Sequence, residues 1–203
     1  MVDVECSPGQ NEGTNATMVE LFKELVAKQQ QLRTLQKQKA RRDVPDYELT
    51  GRNGEKVKLS ALFGNKRDLI VVHNMGTSCP YCTLWADGFN GVLPHLEDRA
   101  AFVLVSPDDP EVQQKFAESR NWTFAMYSGK GSAFTEEMGY SYTKHGVTYQ
   151  LPGLSTFHKT DDGNIVRTGA DSFGPGDVYS GIWHMFDLLE KGADGWEPKY
   201  HYC

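Results

Sequence analysis

Apolar positions along the chain follow two different rhythms. In the first, Met18, Leu21, Leu25, Leu32 and Leu35 recur at spacings of three, four or seven, which puts them on one face of a helix. Thr17-Met18-Val19-Glu20 has the form of a capping box, in which a hydroxyl and a carboxylate satisfy otherwise orphaned amides. A helix is therefore predicted over residues 16–43, after a polar, disordered tail at 1–15. Lys28 stands where the stripe would take another apolar residue, so a coiled coil does not follow from the spacing alone. Two readings stay open, a helix packed on its own domain and a homodimer through residues 17–41. Pro45 marks the boundary with the main domain, set at 44–191.

In the second rhythm, short apolar runs of strand length alternate with helical patterns. Tyr47–Leu49 and Lys56–Leu59 flank Gly51-Arg52-Asn53-Gly54, a hairpin signal, and Ser60–Phe63 reads as a helical turn. Asp68–Asn74 and Ala101–Ser106 have the continuous apolar centres of strands buried on both faces. Between them a helix starts near Pro80, bends around Gly91 and Pro94 and resumes to Asp98. Asp109-Pro110 opens a helix to about Arg120. A strand at Trp122–Tyr127, a short helix at Ser132–Met138 and a loop at Tyr140–Gln150 come next. Strands at Gly153–Lys159 and Ile165–Thr168 then flank an Asp-Asp-Gly-Asn turn. Asp177 is expected to cap a final helix to about Lys191, leaving a tail at 192–203. The order predicts an α/β domain with a central mixed sheet flanked by helices, extended at its N-terminus by a β-hairpin and a helix.

Charge narrows the function classes. The 203 residues carry a net charge of −6. Residues 28–42 hold six basic groups and no acidic one, while the acidic body that follows argues against nucleic-acid binding. The basic stretch reads as the solvated face of the helix. No apolar run approaches the roughly 18 residues of a membrane span. The polar, acidic start has no leader-like apolar region, so a cytoplasmic location is expected.

The four cysteines, Cys6, Cys79, Cys82 and Cys203, are too few for a disulfide scaffold in a chain of this length. Cys79-Pro80-Tyr81-Cys82 falls where a buried strand turns into a helix. There the helix dipole and free amides favour a thiolate at Cys79, the nucleophile. Cys82, one turn on, can resolve a mixed disulfide. Pro80 suits the first helical turn, which needs no amide hydrogen from it. A structural zinc site would need two more ligands. Cys6 and Cys203 lie in predicted tails, and the six histidines have no metal-ligand spacing. A structural, inert dithiol is the other alternative. No metal or other cofactor is expected. The implied partners are a disulfide-containing protein or small thiol and an external reductant, with no nucleic acid and no membrane.

Strand, Cys-x-x-Cys helix, strand, helix and a proline-led hairpin resemble the thioredoxin-like pattern over about Asp46–Lys191. The hairpin at its start resembles that of the larger peroxiredoxin-type members. Cys-Pro-Tyr-Cys is the glutaredoxin motif, but this chain is about twice glutaredoxin length. A closer resemblance is to a bacterial thioredoxin-like family, domain of unknown function 899. It is carried by the basic helix ending Arg41-Arg42, the strand Leu69-Ile70-Val71-Val72-His73, and Cys79-Pro80-x-Cys82-x-x-Trp85-Ala86-Asp87-Gly88-Phe89-Asn90-Gly91. That family name attaches no activity. The thioredoxin pattern implies that Pro152 follows a cis peptide and shapes substrate docking beside the disulfide. It also implies that His73, six residues before Cys79, could move protons for the second cysteine; a hydrogen-bonded core histidine is the alternative. Trp85 should pack in the core beside the site. Peroxiredoxins place a Pro and a Thr or Ser seven and three residues before their reactive cysteine. Val72 and Gly76 occupy those places before Cys79, and Met75 and Cys79 before Cys82, which disfavours the peroxiredoxin mechanism.

Overall fold

A computed structural model describes residues 12–202. Helix α1 (Glu12–Ala40) leads into strand β1 (Arg42–Val44), and β2 (Glu48–Thr50) and β3 (Lys56–Lys58) form the expected hairpin. A 3-10 turn at Leu59–Phe63 precedes β4 (Asp68–His73). Helix α2 (Pro80–Arg99), β5 (Ala101–Ser106), α3 (Pro110–Arg120), β6 (Ala125–Ser128) and α4 (Phe134–Glu137) follow. Strands β7 (Ser141–Lys144) and β8 (Val147–Gln150) form a separate hairpin. The chain continues through β9 (Gly153–Lys159), β10 (Ile165–Ser172) and α5 (Ile182–Phe186).

Eight strands make one mixed sheet in the order β1-β10-β9-β4-β5-β6-β2-β3. Strands β4, β5 and β6 are parallel, and β9 runs antiparallel to β4, pairing Asp68 with His158 through to His73 with Gly153. The unbroken apolar runs of β4 and β5 are explained by burial on both faces. Leu69, Val71, Val103 and Val105 join Phe63, Phe134, Tyr140 and Phe157 in one core. Val72, Phe102 and Leu104 join Trp85, Ala86, Phe89 and Leu93 of α2 in the other. The period-two alternation thus sends neighbouring side chains into different layers. No helix among the described residues is long and apolar enough to cross a membrane.

Several expectations are corrected. Helix α1 starts at Glu12, so residues 12–15 are helical, and residues 1–11 lie outside the described part. The Thr17 hydroxyl donates to the Gly13 carbonyl, a bond within the helix that replaces the capping box. Residues 42–44 leave the helix because β10 offers an open edge, on which Arg42 pairs with Arg167. Helix α2 runs unbroken through Pro94. The expected loop at Tyr140–Gln150 is the β7–β8 hairpin. His145 and Gly146 both take positive φ at its turn, and Tyr142 stacks on Tyr149 at 5.1 Å. The final helix shrinks to α5 because the Asp177 carboxylate accepts from the Gly174, Tyr179 and Ser180 amides and shapes a turn instead. The tail at 192–202 folds back, with Trp196 against Trp183 and Phe186.

Phe157 of β9, the register partner of Leu69 on β4, is fully buried within the first core. Phe157→Ala should cost about 3–5 kcal/mol in urea unfolding. A loss below about 1 kcal/mol would show that this layer can collapse around the gap.

Candidate active site at the Cys79–Cys82 dithiol

The site begins where β4 runs out. The Asn74 amide still bonds the Val105 carbonyl at 2.9 Å, and its side-chain oxygen accepts from the Gly76 amide at 2.8 Å. The Asp108 carboxylate accepts from the Thr77 amide at 2.9 Å and from the Ser106 hydroxyl at 3.2 Å. Gly76 takes φ +103°, and a Cβ there would lie 3.0 Å from both Asp108 carboxylate oxygens. Backbone conformation and close approach both demand glycine at this position. The loop is thereby clamped from two sides and delivers Cys79 to the start of α2.

Cys79 is the N-cap residue of α2. Its sulfur accepts from the Cys82 amide at 3.0 Å, and its carbonyl receives the Thr83 amide and hydroxyl, each at 3.1 Å. Both thiols are free and buried. The Cys79 thiol is lowered to about 7, chiefly by the hydrogen bond from the Cys82 thiol. Burial opposes this, and the Cys82 and Tyr81 amides assist. Cys82 is pushed strongly upward. It is the donor in that pair, it is buried, and it faces the Cys79 charge. Apart from the Cys79 thiolate acting on Cys82, no charged side chain is among the causes of either shift. Amides and a neighbouring thiol alone hold the thiolate, as expected at a helix N-terminus. Near neutrality this favours ionisation of the Cys79 sulfur while the Cys82 sulfur keeps its proton.

Structure separates the other residues singled out in the sequence. The His73 side chain lies in the core layer opposite α2, stacked on Tyr140 with ring centroids 3.9 Å apart. Its Nε2 bonds the Ser155 hydroxyl at 2.9 Å, and no bond joins it to either thiol. Burial, and then the Arg167 charge, hold it neutral, well below the ordinary histidine range. Pro152 adjoins Gly153, the register partner of His73, so it lies at the same end of the sheet as the dithiol. The expected cis peptide is absent, since every peptide bond among the described residues is trans. The β7–β8 hairpin feeds an extended chain into β9, with the Leu151 amide on the Tyr140 carbonyl and the Phe173 amide on the Pro152 carbonyl. Nothing in that path opposes the ordinary trans preference. Trp85 packs in the second core, and its indole N–H donates to Asp177 at 3.4 Å. Cys6 and Cys203 lie outside the described residues. No group of three or more His, Cys, Asp or Glu with metal-holding geometry occurs among the described residues.

Sequence reasoning missed the C-terminal strap. The Tyr200 hydroxyl donates to the Thr77 carbonyl at 2.9 Å, two residues before Cys79. Arg120 donates to the Tyr200 carbonyl at 2.7 Å and is itself ion-paired with Asp87. Tyr81, between the cysteines, stacks on Trp183 at 6.2 Å. The available signal was aromatic content, because Trp196, Tyr200 and Tyr202 are out of place in a disordered tail.

The sequence profile of a family described as a bacterial protein of unknown function, DUF899, matches residues 13–202. The chain belongs to this family. No curated protein matches the DUF899 chain in sequence. Among solved structures it is similar to the peroxidoxin BcpB from Mycobacterium tuberculosis, with 23% identity and a TM-score of 0.54. That match covers 66% of this chain and 84% of the other. A peroxiredoxin-like protein from Aquifex aeolicus matches at 15% identity and 0.53, covering 66% of this chain and 75% of the other. Reduced Prx3 from Vibrio vulnificus matches at 18% and 0.53, covering 67% and 88%. These likenesses establish a thioredoxin-like fold for the DUF899 chain.

Two outcomes are expected. Alkylation of Cys79 by iodoacetamide should rise with pH around a midpoint near 7, against about 8.5 for a free thiol. The sign follows from the lowered value: the thiolate reacts, so the rate falls as pH drops through 7. A midpoint near 8.5 would refute the amide-held thiolate. Tyr200→Phe should speed that alkylation while costing about 0.5–1.5 kcal/mol of stability. An unchanged rate would show that the strap does not shield the sulfur.

Proposed function

We propose that this protein is a thiol–disulfide oxidoreductase working through Cys79 and Cys82. The observation carrying this reading is the placement of two adjacent sulfurs at the N-terminus of α2, where Cys79 Sγ accepts from the Cys82 amide at 3.0 Å, an arrangement that draws Cys79 down to about 7 and pushes Cys82 up. The Cys79 thiolate attacks one sulfur of a substrate disulfide and displaces the other as a thiolate. Cys82 then gives its proton to the departing thiolate and attacks the Cys79 sulfur. The substrate leaves with both sulfurs reduced, and a Cys79–Cys82 disulfide remains. Two electrons have passed to the substrate. An external thiol or reductase restores the dithiol, which fits a reducing compartment such as the cytoplasm.

Substrates in this reading are disulfide-containing proteins or small disulfides, docking at the sheet end that holds Pro152. The thiolate is held by amides and a thiol, with no guanidinium beside it, and Gly76 stands three residues before Cys79. Both features favour disulfide over peroxide as the electrophile. His73 is given no proton-transfer role, since its bonded partner is Ser155.

The test is reduction of insulin and glutathione disulfides with dithiothreitol as electron source. Wild type should exceed the uncatalysed rate and Cys79→Ser should fall to it. Cys82→Ser should accumulate a mixed disulfide with the substrate, visible by mass. Equal rates for wild type and Cys79→Ser would overturn the oxidoreductase reading in favour of a non-catalytic interaction module.

A further inference from the structure

The longest helix of the chain is largely uncovered. Among the residues of α1 whose burial is described, the last, Ala40, is the one that is buried, and the helix meets its own body chiefly at β10. Met18, Leu21, Leu25, Leu32 and Leu35 are each more than half exposed, as is Phe22 beside them. Packing on the chain's own domain, one of the two readings open from the sequence, is therefore not what the stripe does. A helix with that many exposed apolar side chains on one face is a surface awaiting a partner.

Spacing and charge identify the occupant. Met18, Leu25 and Leu32 occupy successive a positions of a heptad, and Leu21, Lys28 and Leu35 occupy d positions. The first half of α1 carries Glu12, Glu20 and Glu24 against one lysine, Lys23. The second half carries Lys28, Arg33, Lys37 and Lys39 with no acidic residue. A parallel pair would stack Lys28 on its own copy and set basic half against basic half. An antiparallel pair does the reverse.

We propose that α1 pairs antiparallel with α1 of a second copy of this chain, the two-fold axis passing between residues 26 and 27. In that register Met18 faces the partner's Leu35, Leu21 faces the partner's Leu32, and Leu25 faces the partner's Lys28. Every layer but the central pair is apolar. Lys28 lays its methylenes over the partner's Leu25 and brings its ammonium beside the partner's Glu24, so the break in the stripe becomes an ion pair that selects the register. The axis lies about 20 Å along the helix from Ala40, at 1.5 Å per residue. The two bodies therefore sit at opposite ends of the pair, and neither blocks the other's dithiol.

Sedimentation of the full chain at micromolar concentration tests this without reference to disulfide exchange, so the dimer and the redox reading can fail separately. Wild type should sediment at twice 22.8 kDa. Lys28→Glu should be monomeric at that concentration, and the swap Lys28→Glu with Glu24→Lys should restore the dimer, while circular dichroism shows all three folded. Direction is read by cross-linking in a background lacking Cys6 and Cys203. Leu21→Cys protein mixed with Leu32→Cys protein should join on mild oxidation, and neither alone should. A monomeric wild type, a dimer indifferent to Lys28→Glu, or Leu21→Cys protein that joins to itself would overturn the proposal.

Discussion

Strand β4 is the constraint on which the rest of the structure depends. It is hydrogen-bonded on both edges, parallel to β5 and antiparallel to β9, and its side chains alternate between two cores. Neither lateral nor register slippage is open to it, because a one-residue shift would exchange the contents of both layers. Its C-terminal end is therefore a fixed point. The five-residue loop from Asn74 to Ser78 starts there, and Asn74 and Asp108 pin it by backbone amides rather than by side-chain packing. The position of Cys79 at the head of α2 is inherited from this rigidity. A loosely held loop would leave the same two cysteines without a defined relation to the helix amides.

That origin shapes the electrostatics. Amides at a helix start move with the backbone and lie within hydrogen-bond reach, so they are less subject to ionic screening than an ammonium across solvent. The Cys79 thiolate needs no charged neighbour, and the acidic balance of the body has little leverage on it. Stabilising a thiolate stabilises the reduced form, which makes the pair a stronger oxidant than two ordinary thiols would be. Cys82 raised by the same bond keeps its proton until the attack it makes requires release.

Strand β5, the dithiol helix and the β2–β3 hairpin were legible because local signals and tertiary needs agree there. Continuous apolar runs belong in a sheet covered on both faces, and Asn53-Gly54 is a turn whatever surrounds it. Where the reading missed, long-range partners decided. The β7–β8 turn uses His145 with a positive φ, which no dipeptide rule flags, and stacked tyrosines hold the strands together. Asp177 looked like a helix cap because its residue type fits one, yet the same carboxylate can organise a turn of three amides. The strap depended on Arg120 and Asp87, both far from Tyr200 in sequence. For the site, Cys79 and Cys82 were readable from motif and position. The face on which His73 lies was also implicit in the alternation of β4, since it shares parity with Leu69 and Val71, the residues turned away from α2.

That parity has a consequence for how the two sides of the sheet divide their work. On the side away from the thiols, Ser155 Oγ accepts from Arg167 at 2.9 Å and shares a hydrogen bond with His73 Nε2 at the same distance. Arg167 also donates to the Met138 carbonyl and lies over the Tyr140 ring. A protonated His73 would put a second cation into this buried layer without a carboxylate to meet it, so the layer is stable only with the imidazole neutral. A histidine held in this way cannot act as a proton carrier near neutrality, even were it beside the sulfurs. Its contribution lies in ring stacking on Tyr140 and one bond to Ser155 at the end of β4, where it fixes the strand from behind while the Asn74–Ser78 loop turns forward to the dithiol. Chemistry and rigidity are thus assigned to opposite faces of one strand, and the face that needs a changeable charge is the one supplied by α2.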